Sequence, residues 1–189
     1  MTIDLAVPSL DRLPSYADAL RRGWSPDTVR KAAAAAEQLE RIDQDPAAFV
    51  AGLDDPEARG GPIPLPDGST VPRLPGFQRW LWDGEFCGTI NLRWQAGTAA
   101  LPPHVLGHIG YSVVPWQQGR GHATRALALL LPEARARGLA YVELTTNPEN
   151  IASQRVILAN GGRLVEHFRK AAAYGGGEAL RFRIELSPP

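Results

Sequence analysis

The stretch GYSVVPWQQGRGHATRAL, residues 110–127, constrains the fold more than any other. It runs from a strand-like segment through Gly119 and Gly121 into a helix-like one, in which Ala123, Leu127, Leu130 and Ala134 recur at helical spacing. Glycines at such a junction let the main chain approach a ligand or take conformations closed to other residues. The first turn of a helix carries unpaired N–H groups and a partial positive charge. Together they form a phosphate cradle that needs no lysine.

The elements on either side fix the fold class. Residues 77–94, FQRWLWDGEFCGTINLRW, give two strand-like runs about Asp83-Gly84, a strong hairpin signal. HVLGHIGYSVV reads as a strand, AYVELTT as another, and NPENIASQRVILANGG as a helix closed by Asn160-Gly161-Gly162. RLVEHF and LRFRIEL read as two final strands. Pro132 should kink or split the helix after the glycines, and Gly138 should end it. The first third reads as helices: one with Ser15 as N-cap, one starting from Ser25 and Pro26 through the alanine run 32–36, and one over DPAAFVAGL. Residues 54–76 are dense in proline and glycine and read as a long loop with room for one short strand. The expected fold is α/β (α+β), one mixed and mostly antiparallel sheet flanked by helices, with an N-terminal helical extension. We expect one domain over 1–189: a helical arm 1–53, the loop 54–76 and a core 77–189.

Composition narrows the partners. The 20 Lys+Arg balance the 20 Asp+Glu, so no basic excess points to nucleic acid or to an anionic membrane. No basic-then-apolar leader opens the chain, and the apolar run in RALALLLPEA is too short to span a bilayer, so a cytoplasmic location is expected. The single Cys87 forms no internal disulfide and reads as a small hydrophobe in a strand rather than a nucleophile. His104, His108, His122 and His167 show no metal-ligand spacing, so no metal is expected.

Three phosphate-binding motifs compete for 118–124. A nucleoside triphosphate loop needs a Gly-Lys pair that the sequence lacks. A dinucleotide fingerprint needs a third glycine where Thr124 stands, although Glu143 lies about twenty positions on, as that motif asks. Gln118-Gly119-Arg120-Gly121-His122-Ala123 matches Q/R-x-x-G-x-G/A and resembles the acetyl-CoA motif of the GNAT superfamily of N-acetyltransferases. The preceding VVP and the later NPENIASQRVILANGGRL extend the resemblance over residues 80–168. The N-terminal half and GHIGYSV are similar to a bacterial subgroup of the superfamily known by its fold, so no substrate carries over.

The resemblance implies acetyl-CoA as cosubstrate and acetyl transfer to a primary amine, on a small molecule or a peptide, by direct attack in a ternary complex. The other reading is a CoA-binding module of the same fold without turnover. By the resemblance, backbone amides of Arg120, Gly121, Ala123 and Thr124 hold the diphosphate, Gln118 and Gly119 shape the turn, and His122 contributes backbone while its side chain faces solvent. Val113 and Val114 pair with the pantetheine arm as an added strand. Asn150 and Ser153 reach the pantetheine, or else merely cap their helix. Arg120, Arg125 and Arg155 meet phosphates or lie on solvated faces. The tyrosine that many of these enzymes place four residues before the last helix's closing glycine is here Ile157. No carboxylate stands on strand 108–114, so His108 and Tyr111 are the catalytic candidates, each with core packing as the competing reading. Asn91 and Glu143 are weaker candidates, and Trp80, Trp82 and Trp94 line an acceptor pocket or the core. The superfamily often completes acceptor sites with a neighbour, which leaves room for a homodimer.

Overall fold

The computed structural model describes residues 3–65, 68–174 and 176–186; Pro66 and Asp67 of the long loop and Gly175 of the last connection lie outside these. Among the described residues, ten strands and five α-helices follow in order: β1 (Asp4–Ala6), α1 (Leu13–Arg21), α2 (Ala32–Gln44), α3 (Pro46–Ala51), β2 (Asp54–Asp55), β3 (Ile63–Pro64), β4 (Thr70–Val71), β5 (Gly76–Trp82), β6 (Phe86–Arg93), β7 (Ile109–Val113), α4 (His122–Ala136), β8 (Tyr141–Thr146), α5 (Ile151–Ala159), β9 (Arg163–Arg169) and β10 (Glu178–Glu185). None of the described helices is long and apolar enough to cross a membrane.

The strands form two principal sheets rather than the single sheet the sequence suggests. One runs β1-β5-β6-β7 with β2 also on β5, and the other runs β8-β10-β9, while β3 and β4 form a separate small hairpin. Every pairing among the described strands is antiparallel. β7 and β8 lie side by side at the junction of the two sheets but share no ladder. They are joined at one point. The His108 amide donates to the Glu143 carbonyl at 2.7 Å, and the Glu143 amide donates to His108 Nδ1 at 2.9 Å. Gly107 makes the close approach possible, since a Cβ there would sit 3.0 Å from the Glu143 carbonyl oxygen and 3.4 Å from Leu144 Cα.

Alternation along β5 and β6 divides the core in two. Phe77, Leu81, Ile90 and Leu92 face α4, whose Ala126, Leu127, Leu130 and Ala134 pack on them. Trp80 and Phe86 face the other way, into Tyr16, Trp24 and Phe49 of the N-terminal segment. Tyr16 stacks on Trp80 with ring centroids 5.0 Å apart and meets Phe86 edge-on, also at 5.0 Å. Trp24 Nε1 donates to Ser112 Oγ at 3.0 Å, so the N-terminal segment also grips β7.

Several local expectations shift. α1 begins at Leu13 with Pro14 in its first turn, and Ser15 Oγ instead accepts from the Phe86 amide of β6. α2 starts at Ala32, well after Ser25, because the Asp27 carboxylate collects the amides of Val29 and Arg30 into a local turn. β1 goes unseen in the sequence, since three residues give too little periodicity to detect. Pro132 does not split α4: it lies on the exposed side, and the carbonyl it orphans belongs to the equally exposed Ala128. Asp45 caps α3 through the Ala48 amide, and the chain turns off at Gly52 as expected.

His108 is fully buried, and burial pushes its pKa down to about 4 from 6.5. A buried neutral imidazole stabilises the fold fully above about pH 6.5 and progressively less below it, because the unfolded chain takes up a proton that the folded one refuses down to about 4. Stability should therefore fall by about 1.4 kcal/mol per pH unit from this group as the pH drops from 6.5 toward 4. His108→Gln should flatten that dependence in denaturant titrations between pH 6.5 and 5, above the main carboxylate range. Gly107→Ala should cost about 1–3 kcal/mol, because the wedge falls on backbone.

Candidate active site

The turn after β7 is built on two left-handed glycines, Gly119 at φ 76° and Gly121 at φ 78°, with Gly121 directly before α4. A side chain at either would meet open space, so φ and not crowding selects glycine. Among the described residues, the amides of Gly119, Arg120, Gly121, His122, Ala123 and Thr124 donate to no protein group, and the helical bonding starts with Arg125 N–H to Gly121 O. Residues 118–121 are exposed, and Ala123 and Thr124 are half-buried. A row of unsatisfied donors thus stands at the positive end of a fifteen-residue helix, a geometry that attracts anions. Arg120, Arg125 and Arg155 are all exposed and have no carboxylate partner among the described residues.

Other side chains hold this turn in place. Gln118 Nε2 donates to the Val113 carbonyl at 3.1 Å, and Gln117 Nε2 donates to Glu85 at 2.6 Å. Asn160, past the end of α5, donates to the Thr124 carbonyl at 3.2 Å and to Val156 O at 2.9 Å. Sequence reading treats Asn160 only as a helix stop, and nothing local signals its bond to Thr124, which lies 36 residues away. The His122 side chain turns inward rather than to solvent. It is 6% exposed, and its Nε2 has no protein partner.

β7 leaves one edge open. The Val114 amide bonds Cys87 O and the Arg93 amide bonds His108 O, so the even-numbered residues of β7 direct their main chain at β6. The odd-numbered ones, Tyr111 and Val113, direct theirs into the gap toward β8. Val114 is thereby committed to β6, which moves the free edge one residue back from the expected pair, and the Val113 carbonyl already holds Gln118.

Between the diverging sheets lies a cleft of about 1220 Å³, with Gly110 and Tyr111 on one wall, Thr145 and Thr146 on the other, and Ser153 and Ile157 behind. Tyr111 Oη hydrogen-bonds Ser153 Oγ at 2.8 Å, and burial raises its pKa. Asn150 Oδ1 accepts from the Ser153 amide at 3.0 Å, so Asn150 caps α5. Ile157 is fully buried. His108 has both ring nitrogens engaged: Nδ1 accepts from Glu143, and Nε2 donates to Ala99 O at 3.1 Å. Glu143 turns away from the cleft to Arg183, at 2.7 Å, and to Arg181. Cys87 is buried, and its thiol is pushed up to about 11 by that burial. No tryptophan lines the cleft; Trp80 and Trp94 lie in the core, and Trp82 is half-buried under the Arg12 guanidinium.

A family model described as an acetyltransferase (GNAT) domain matches residues 38–163. The chain belongs to the GNAT acetyltransferase family. Solved structures show the same fold. The microcin C7 self-immunity acetyltransferase MccE, solved with acetyl-CoA and AMP, superposes with a TM-score of 0.63 at 14% identity, covering 98% of this chain and 93% of its own. The ribosomal L7/L12 alpha-N-protein acetyltransferase RimL, solved with CoA, gives 0.64 at 14% identity over 100% and 97%. RimJ of Mycobacterium smegmatis, solved with CoA-disulfide, gives 0.63 at 22% identity over 98% and 87%. No curated protein sequence matches the chain significantly. The antiparallel sheets and their flanking helices thus carry the GNAT fold, and this chain is an acyltransferase by family.

The free amides make a measurable signature. In hydrogen exchange, the amides of residues 119–124 should exchange at least ~100-fold faster than those of Leu127–Leu130 in the same helix. Gly121→Val should cost about 1–2 kcal/mol through the left-handed φ alone, read from denaturant unfolding.

Proposed function

We propose that the chain transfers acetyl from acetyl-CoA to a primary amine by direct attack in a ternary complex. The observation that carries this is the row of unpaired amides at 119–124, continuous with the open edge of β7 and the cleft behind it. The diphosphate of CoA would take the amides of Gly119 to Thr124, with Arg120, Arg125 and Arg155 free to meet its other phosphates. The pantetheine arm would lie along the outward main chain of Tyr111 and Val113 as an added strand. That places the thioester in the cleft beside Tyr111 and Ser153.

Neither Cys87, buried and held as the thiol, nor Ser153, whose hydroxyl meets Tyr111 and no base, is activated as the nucleophile of an acyl-enzyme. The amine must therefore attack the thioester itself, after losing a proton. His108 offers no lone pair for that proton, and Glu143 is spent on two arginines, so water in the cleft takes it. Tyr111 stays protonated at neutral pH and would donate a hydrogen bond to the departing sulfur by turning its hydroxyl from Ser153. A thiol is already a fair acid, so Ile157 in place of an acid slows this step without stopping it. The related structures of RimL and RimJ, solved with CoA forms, fit this reading. The acceptor enters from the side walled by Asp27, Glu37 and the 63–65 segment, where the helical arm and the long loop meet the cleft.

Acetyl-CoA at 100 times its Kd should add about 2.7 kcal/mol to stability, a rise of roughly 5–10 °C in Tm, while NAD adds nothing. It should also slow exchange at residues 119–124. Free-thiol release with a mixed amine panel should be acceptor-dependent, and Tyr111→Phe should lower kcat by roughly 100-fold with acetyl-CoA affinity kept within about twofold. Tight binding with no thiol release for any amine would return the chain to a CoA-holding module. Exchange protection away from 119–124 would overturn the placement.

A further inference from the structure

A second cavity, of about 460 Å³, opens on the face of β5 and β6 that is turned away from α4. Gln78 and Asn91 stand directly opposite each other there, and Arg93 follows two positions on, along the same face. All three line the cavity, with His104 and Tyr174 on the loops that close it. Its donors outnumber its acceptors. The Arg93 guanidinium makes one recorded bond, from Nη2 to Asn91 Oδ1 at 2.9 Å, and has no carboxylate partner among the described residues. Gln78 Nε2 and His104 Nε2 are buried with no protein partner. Asn91 Oδ1 is already shared with the Gly110 amide. Asp55 is the single carboxylate on the wall, and it is taken by the amides of Arg59 and Gly60 and by Arg73. Arg93 is half-buried with no carboxylate beside it, and a partly desolvated guanidinium that lines a cavity is a ready partner for an anion.

The cavity adjoins the cleft. The two share Ile63, Leu65, Leu106 and Tyr174 as lining. A Cβ on Gly110, which lines the cleft, would sit 3.8 Å from Arg93 Nη2. A group seated beside Arg93 could thus belong to the same molecule as an amine placed in the cleft.

We propose that this cavity recognises a carboxylate carried by the acceptor, held by Arg93 with Gln78 and His104, so that the enzyme prefers amines that bear an acid group. The proposal rests on the acetyl-transfer reading above and adds the substrate class. Arg73, on the same wall, is tied to Asp55 and to the Gly61 carbonyl, which leaves the Arg93 guanidinium to match the two coplanar oxygens of a carboxylate.

Titration calorimetry on the CoA-saturated protein tests this with product-like probes in two arms. One compares N-acetylglycine with N-acetylglycinamide, for a free α-carboxylate. The other compares N-acetylglycyl-glutamate amide with N-acetylglycyl-glutamine amide, for an acidic side chain in a peptide. In at least one arm the acid should bind at least about tenfold more tightly than its amide. Arg93→Gln should abolish that preference while the Kd for CoA stays unchanged, and Arg93→Lys should keep part of it. Should Arg93→Gln fail to fold by circular dichroism, Gln78→Leu and His104→Leu should each reduce the preference. Equal binding of acid and amide in both arms, or a preference that survives Arg93→Gln, overturns the proposal. If the wild type does not bind CoA, the acetyl-transfer reading fails instead, and the same probe pairs on the free protein still decide whether the cavity selects carboxylates.

Discussion

The architecture depends on two hydrogen bonds between His108 and Glu143. They hold two sheets together at one point and nowhere else along β7 and β8. Had the strands laddered, the main chain of Tyr111 and Val113 would be spent on β8 and the cleft would close. Had they not touched, a strand bearing Thr145 and Thr146 would have no fixed place across from Tyr111. Gly107 admits the contact, and the buried imbalance of a single imidazole is resolved by giving both of its nitrogens a partner. His108 is in this sense a hinge pin, and its depressed pKa reports burial in a joint rather than readiness to move protons.

The N-terminal segment stabilises that opening from behind. Tyr16, Trp24, Trp80 and Phe86 form one aromatic cluster, and pairs of this kind add about 0.5–1.5 kcal/mol each beyond the area they bury. Because Trp24 also donates to Ser112 on β7, the cluster fixes the strand whose far edge stays unpaired. An unpaired edge normally invites aggregation. Here the strand is held on one side by β6 and by the N-terminal segment, and on the other it is recessed in a cleft.

The parts legible in the sequence are those where local chemistry decides. Gly119 and Gly121, the hairpin at Asp83-Gly84 and the cap Asn150 declare themselves through residue type and spacing, and the structure has them where the pattern puts them. The misreadings arise where a distant group competes. Ser15 looks like a cap and instead bonds Phe86, 71 residues away. His108 looks like a base until Ala99 and Glu143 take both nitrogens, and His122 looks solvent-facing until the fold buries it. The division into two sheets is invisible for the same reason, since it is set by one long-range contact and not by any pattern along a strand.

The same logic explains why the acceptor is harder to read than the cofactor. The cofactor site we propose is main chain, and main-chain geometry follows from glycine and from where a helix starts. The acceptor cavity is side chain, assembled from a hairpin face and two loops. Gln78, Asn91 and Arg93 occupy alternate positions that elsewhere in this hairpin bury tryptophan or phenylalanine. A guanidinium on that face loses part of its hydration and regains only the Asn91 Oδ1 bond in the free protein. An acceptor acid would find there a guanidinium already partly stripped of water and without a competing carboxylate, which is what the proposed preference for acidic amines uses.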